Sequence, residues 1–168
     1  MIADIQTSMS LWLKVAVFGL AGLFIIGTIA LAGVFVYVPY DRLVNGPIAA
    51  QTLKDLEKEF KLIAPLPSAI ELRCNSMNKT HQGDVGCEYK ASDNYETIRA
   101  HYDKELESHG WKFVTERPVM IWSRDYGGKE AFYCKGTYTA TLQYAGKEPG
   151  IQYTYGFGLS WGLFDECK

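Results

Sequence analysis

Hydrophobic residues along this chain are concentrated in one uninterrupted run near its beginning. From residue 15 to residue 38 the sequence contains no charged or strongly polar side chain. At about 1.5 Å per residue, a helix of this length reaches roughly 36 Å, enough to cross a hydrocarbon core of about 30 Å with some tilt. The pattern therefore predicts a transmembrane helix over residues 15–38, preceded by a tail over residues 1–14.

The residues that flank and fill this run indicate a retained anchor with a packing surface. A cleaved signal peptide has a shorter apolar core behind a basic segment, whereas Asp4 and one basic residue, Lys14, precede this run. Small residues cluster on one side of the helix, and helices in lipid associate by close approach across such residues. Because glycine is frequent in spans generally, ordinary composition is the alternative. The expected packing residues are Ala16, Gly19, Gly22, Gly27, Ala30 and Gly33.

An amphipathic pattern follows the apolar run. We expect Pro39 to end the first helix and Pro47 to stand at the start of a second one, where its missing N–H costs nothing. This juxtamembrane helix and its linker cover residues 39–67. The helix packs on its own domain in the favoured interpretation and lies on the bilayer or on a partner in the alternative. Its apolar positions recur at spacings of three and four: Ala49, Leu53, Leu56, Phe60 and Ile63.

Residues 68–168 show a mixture of strand-like and helical patterns. A helix is expected from a cap at Asp93 to Gly110, after which Trp111 folds back against the last turn. A break is expected at Pro118. The clearest alternation has aromatic residues on one face, so that face is predicted to be buried. The expected strands cover 69–74, 85–91, 111–115, 119–124, 137–144 and 151–161. The predicted fold class is α+β, with two amphipathic helices packed on an antiparallel β-sheet.

All four cysteines follow the apolar run. An even number confined to one side of a span is typical of an oxidising compartment and of disulfides. We expect a Cys74–Cys87 disulfide across the first hairpin and a Cys134–Cys167 disulfide at the C-terminal end; reduced core thiols and a metal site are the alternatives. This placement predicts a single-pass protein of a bacterial inner membrane, with a cytoplasmic N-terminus and a disulfide-linked periplasmic domain.

Composition and motifs indicate no enzyme. The net charge of −2, with interspersed signs, argues against a nucleic-acid partner. Serine-hydrolase, zinc-protease and nucleotide-loop motifs are all lacking in the sequence. His101 and His109 are interpreted as solvated or half-buried helix residues rather than ligands. We therefore expect no catalytic residue, no cofactor, no bound metal and no small-molecule substrate. Aromatic contacts to a glycan are weighed only at Tyr89, Trp122 and Tyr126, where exposure is expected.

The expected function follows from this architecture. We predict a non-enzymatic accessory subunit with a single span, whose partners are the lipid bilayer and a larger integral membrane protein complex. It would dock through the small-residue side of the span and through its outer domain. The alternative is a freestanding, membrane-anchored periplasmic binding module, of the immunity or inhibitor type, that captures a soluble protein.

Overall fold

The computed structural model describes the backbone of residues 2–164, 166 and 167, and it describes side chains except those of residues 2–23, 25 and 29–32. The chain forms two compact units, Met1–Val44 and Asn45–Lys168. The elements are α1 (Ile2–Leu62), β1 (Ile70–Lys79), β2 (Gln82–Lys90), α2 (Tyr95–Ser108), β3 (Lys112–Ile121), β4 (Arg124–Lys135), β5 (Tyr138–Tyr144) and β6 (Tyr155–Trp161).

α1 is one continuous helix, so the predicted break at Pro39 and the predicted start of a separate juxtamembrane helix at Pro47 are wrong. A proline inside a helix removes one backbone hydrogen bond and costs about 3 kcal/mol. A break would instead leave about four N–H and four C=O groups at the new ends without helical partners. Within the described part of the chain, Ile26–Leu62 is the one helical stretch long and apolar enough to cross a membrane, and its apolar window is not buried inside the chain.

The six strands form one antiparallel sheet in the order β1-β2-β6-β5-β4-β3. β1 and β2 make a hairpin at one edge. The chain then crosses the sheet through α2 to the opposite edge, and β3, β4, β5 and β6 return as successive antiparallel neighbours until β6 pairs with β2. The α+β class predicted from the sequence is confirmed.

One face of the sheet is buried beneath α2 and the last part of α1. Tyr102 of α2 and Phe60 of α1 both stack on Phe157 of β6, with ring centroids 4.4 and 5.8 Å apart, respectively. Leu56 and Ile63 belong to the same buried cluster. The later part of the apolar stripe, at Leu56, Phe60 and Ile63, therefore packs on the sheet domain.

The ends of α2 show how local sequence sets the helix limits. Asn94, rather than Asp93, caps the first turn, because its side-chain oxygen accepts a hydrogen bond from the Thr97 N–H at 2.9 Å. Gly110 adopts φ +81°, the left-handed conformation that ends many helices. The Trp111 N–H then donates to the Leu106 carbonyl at 2.9 Å, and the indole is buried against the last turn.

Several strands are longer than the sequence predicts. β1 and β2 extend into the segment between the expected strands 69–74 and 85–91, so that only Thr80 and His81 separate them. β3 runs through Pro118, because an edge strand tolerates a residue without an N–H. The reversal into β4 lies at Trp122 and Ser123, within the segment 119–124 that the sequence pattern predicts to be a strand. β6 is shorter than expected and begins at Tyr155.

The second face of the sheet carries a smaller buried cluster that the sequence pattern assigns to solvent. The Cys134–Cys167 disulfide brings the segment after β6 onto this face. The Phe132 ring is buried there against Phe164, with centroids 5.4 Å apart, and the Arg117 guanidinium lies 4.4 Å from its centroid. Thr139 and Ser160 are buried on the same face.

We predict that the domain loses stability at alkaline pH, because several of its tyrosines are buried. Burial raises the pKa of Tyr89 to about 12 and also raises the pKa values of Tyr102 and Tyr133. An unfolded chain releases these protons at about pH 10, so above that pH the folded state holds more protons and its stability falls. We expect the free energy of unfolding to be independent of pH up to about pH 9 and to fall at higher pH. The fall should coincide with the rise in tyrosinate absorbance. Ionisation of every tyrosine at about pH 10 without loss of structure would contradict this.

Candidate functional site

The first candidate site is a groove of about 450 Å³ between the end of α1 and the β1–β2 hairpin, which we call the hairpin groove. Both cysteines of the Cys74–Cys87 disulfide line it. Phe60 of α1 lines the same groove, and charged side chains approach from both elements, with Lys61 on the helix and Glu71 on β1. The groove therefore combines an accessible disulfide with charges of both signs.

A β-bulge determines which side chains share this groove. Cys74 lies directly opposite Cys87, whereas the register shifts between Glu71 and Arg73, so that Glu71 lies opposite Tyr89. Cys87 and Tyr89 are two residues apart in β2 and point to the same face of the sheet, so the shift places Glu71 on the face of the cysteines. Its carboxylate and the two sulfurs lie within 4.8 Å of one another.

The chemistry open to this group is that of a disulfide. Cysteine binds a metal as the thiolate, and in the Cys74–Cys87 bond both sulfurs are used. The negative charge of Glu71 also affects Tyr89. Burial is the largest cause that raises the pKa of Tyr89, and the Glu71 charge is the second.

The second candidate site is a cavity of about 520 Å³ beside the C-terminal half of α2. Asp103 and Glu107 line it from the helix, and Trp111, Phe113 and Tyr133 supply aromatic walls. The Trp111 indole nitrogen is buried without a hydrogen-bond partner. Aromatic rings with carboxylates are the usual surroundings of an organic cation.

A cation of the chain itself already occupies the aromatic faces beside this cavity. The Arg99 guanidinium lies 4.3 Å from the Phe113 centroid and 5.2 Å from that of Tyr133. Its Nε donates to the Tyr133 hydroxyl at 2.6 Å, and ion pairs join it to Asp103 at 3.1 Å and to Glu116 at 3.4 Å. The cluster holds α2 against β3 and β4, so we interpret it as structural.

The third candidate is the tip of the β3–β4 hairpin. Its two turn residues, Trp122 and Ser123, have φ values of +50° and +62°. Such a two-residue turn favours Asn-Gly, because other residues are strained at positive φ. The Trp122 side chain is 94% exposed, and neighbouring Met120 is 53% exposed. The tip therefore presents a large apolar surface on a strained backbone.

The residues singled out from the sequence fall into three groups. Both expected disulfides are formed. Gly27 and Gly33 lie on α1, and beyond the helix's own nearby backbone no atom of the described residues lies within 4 Å of the position that a Cβ would occupy. The His101 ring nitrogen lies 2.9 Å from the Ala64 carbonyl oxygen, His109 is the C-cap residue of α2, and both are half-buried. The remaining packing residues lie outside the described side chains: Ala16, Gly19, Gly22 and Ala30.

Sequence reasoning missed Glu71 and Arg99 and undervalued Trp122. No residue in the Glu71-Leu72-Arg73 segment signals a bulge. Arg99 stands four residues before Asp103 on a helix, a spacing from which the ion pair was predictable. Tyr89, expected near the surface, is buried on the helix-covered face, where it stacks on Tyr155 with centroids 5.0 Å apart.

Comparison of the chain with protein-family models, with curated proteins and with solved structures finds no match. No relative supplies a substrate or a partner, so the function is argued from the described residues.

Proposed function

We propose that this chain is a non-enzymatic accessory subunit with a single span, which docks on a larger integral membrane protein complex. The observation that carries the proposal is Trp122, whose indole is almost fully exposed on a backbone conformation that disfavours it. Folding alone gives no reason to keep this residue at a turn. Burial in a partner gives one, because tryptophan is among the residues that contribute most to binding at interfaces.

The helix supports the membrane part of the proposal. α1 contains an apolar stretch that the chain itself does not bury. Beyond the helix's own nearby backbone, no atom of the described residues lies within 4 Å of a Cβ placed at Gly27 or Gly33, which fits close approach of another helix to this backbone. The two disulfides follow this stretch in the sequence and are typical of an oxidising compartment. We accordingly place the N-terminus in the cytoplasm and the disulfide-linked domain in the periplasm of a bacterial inner membrane.

Two docking surfaces on one chain act together in this proposal. The first is the small-residue side of the span, and the second is the hairpin tip with Trp122 and Met120. Binding at one raises the effective concentration of the partner at the other, so neither contact needs to be strong alone. The integral membrane partner would therefore be held in a stoichiometric complex, and loss of either surface would release it.

The experiment is gentle solubilisation of the tagged full chain from its native membrane, followed by native electrophoresis and mass spectrometry. In the variant with Trp122→Asn and Ser123→Gly, the turn receives its favoured residues, so we expect the free energy of unfolding to rise by about 1 kcal/mol. The amount of partner that co-purifies with this variant should fall about tenfold or more. Ser123→Gly alone keeps the indole and is the matched control, which should retain the partner.

Gly27→Leu tests the span in the same assay. Among the described residues, no atom beyond the helix's own nearby backbone lies within 4 Å of the added Cβ, so the variant should accumulate normally and lose the partner. Full retention by both variants would contradict docking. Recovery of the unaltered chain alone, as an 18.9 kDa species, would contradict the accessory subunit and favour a freestanding module that captures a soluble protein.

A further inference from the structure

The two disulfides differ in what surrounds them. Cys134–Cys167 ties the C-terminal segment to the sheet, and its Cys167 sulfur accepts a hydrogen bond from the Thr139 hydroxyl at 3.1 Å. Cys74–Cys87 lies in the hairpin groove at the edge of the sheet. Cys74 is exposed on edge strand β1, whereas Cys87 is only 6% exposed. One residue of this bond is therefore exposed to solvent and the other is buried.

The position of the bond favours attack on one of its sulfurs. A thiolate that exchanges with a disulfide approaches in line with the bond that breaks. Because Cys74 and Cys87 are directly opposed on neighbouring strands, their bond crosses from β1 to β2. An approach towards Cys87 meets β6, where Phe157 is its partner in the ladder. An approach towards Cys74 comes from the open edge of the sheet, so Cys87 is the leaving group.

Opening this bond leaves the surrounding structure held by other contacts. The β1–β2 ladder extends on both sides of the disulfide, from the pair of Ile70 with Lys90 to the pair of Lys79 with Gln82. β2 is also paired with β6. The hairpin therefore has the backbone hydrogen bonds that it needs to stay folded after reduction.

We propose that Cys74–Cys87 is a thiol–disulfide exchange site for a dithiol of the same compartment. A thiolate of the dithiol attacks the Cys74 sulfur, the bond between the two cysteines breaks, and Cys87 leaves as a thiolate that takes up a proton. The second thiolate of the dithiol then attacks its own sulfur in the mixed disulfide and releases Cys74, which is also protonated. The chain gains two electrons and two protons, and the dithiol becomes a disulfide.

Dithiothreitol is the probe for this proposal, applied at increasing concentration to the full chain in detergent. Free thiols are blocked with N-ethylmaleimide at each step, and trypsin places the four cysteines on four different peptides for mass spectrometry. We expect Cys74 and Cys87 to be labelled at a dithiothreitol concentration about tenfold lower than Cys134 and Cys167 require, with an unchanged circular dichroism spectrum. Simultaneous reduction of both disulfides, or labelling only as the spectrum is lost, would overturn the proposal.

Two single variants test which sulfur is attacked. Cys87→Ser leaves the Cys74 thiol at the open edge, and Cys74→Ser leaves the shielded Cys87 thiol. With oxidised glutathione, the Cys87→Ser variant should form the mixed disulfide at least about tenfold faster than the Cys74→Ser variant. Equal rates would overturn the proposed direction of attack. If either variant fails to fold, the dithiothreitol series on the unaltered chain still decides the proposal.

Discussion

Replacing Phe157 by alanine is expected to lower the free energy of unfolding of the domain by about 3–5 kcal/mol, the usual cost of removing a buried phenylalanine ring. This ring lies in central strand β6 and is stacked against Tyr102 of α2 and Phe60 of α1. Its removal leaves a cavity where both helical segments meet the sheet. Domains of this size have a total free energy of unfolding of about 5–15 kcal/mol, so the loss is a large fraction of the total.

Urea denaturation of the full chain in detergent, followed by near-ultraviolet circular dichroism, measures this loss. Leu72→Ala is the control, because Leu72 is 46% exposed on edge strand β1 and its truncation should cost less than about 1 kcal/mol. If Phe157→Ala cost no more than the control, the packing of α1 and α2 on β6 would be wrong.

The sequence predicted those features that depend on neighbouring residues. Local spacing determines the apolar run, the alternation in β5 and β6 and the end of α2 before Gly110. The disulfide across the first hairpin was also predictable, because two cysteines in paired strands face each other when the register is right. The continuity of α1 could not be predicted, because the effect of Pro39 depends on the helix on both sides of it.

The candidate sites were harder to predict, because each depends on a non-local feature. The bulge that turns Glu71 towards the cysteines follows from how β1 pairs with β2. The cover over Phe132 requires the C-terminal segment to return across the sheet, which alternation within one strand cannot reveal. Trp122 could be recognised as exposed, but its strained backbone became visible only once the turn was located between β3 and β4.

Replacing Cys134 and Cys167 together by alanine is the other change with a large expected effect. The cysteines are 33 residues apart, and the chain-entropy model gives a loss of about 4 kcal/mol for a loop of that length. The matched control replaces Cys74 and Cys87, which are 13 residues apart, for which the same model gives about 3 kcal/mol. Loop length alone therefore predicts a difference of about 1 kcal/mol between the two double variants.

We expect a larger difference in the free energy of unfolding, because the two disulfides stabilise different parts of the folded state. Without Cys134–Cys167, the segment after Trp161 loses its covalent tie, and Phe132 and Thr139 become open to water. Without Cys74–Cys87, β1 and β2 remain paired. Urea denaturation of both double variants should show a gap of at least about 2 kcal/mol, and hydrogen exchange should increase at Phe132 and Thr139 only in the first. Equal losses would mean that the C-terminal segment contributes nothing to the second face of the sheet.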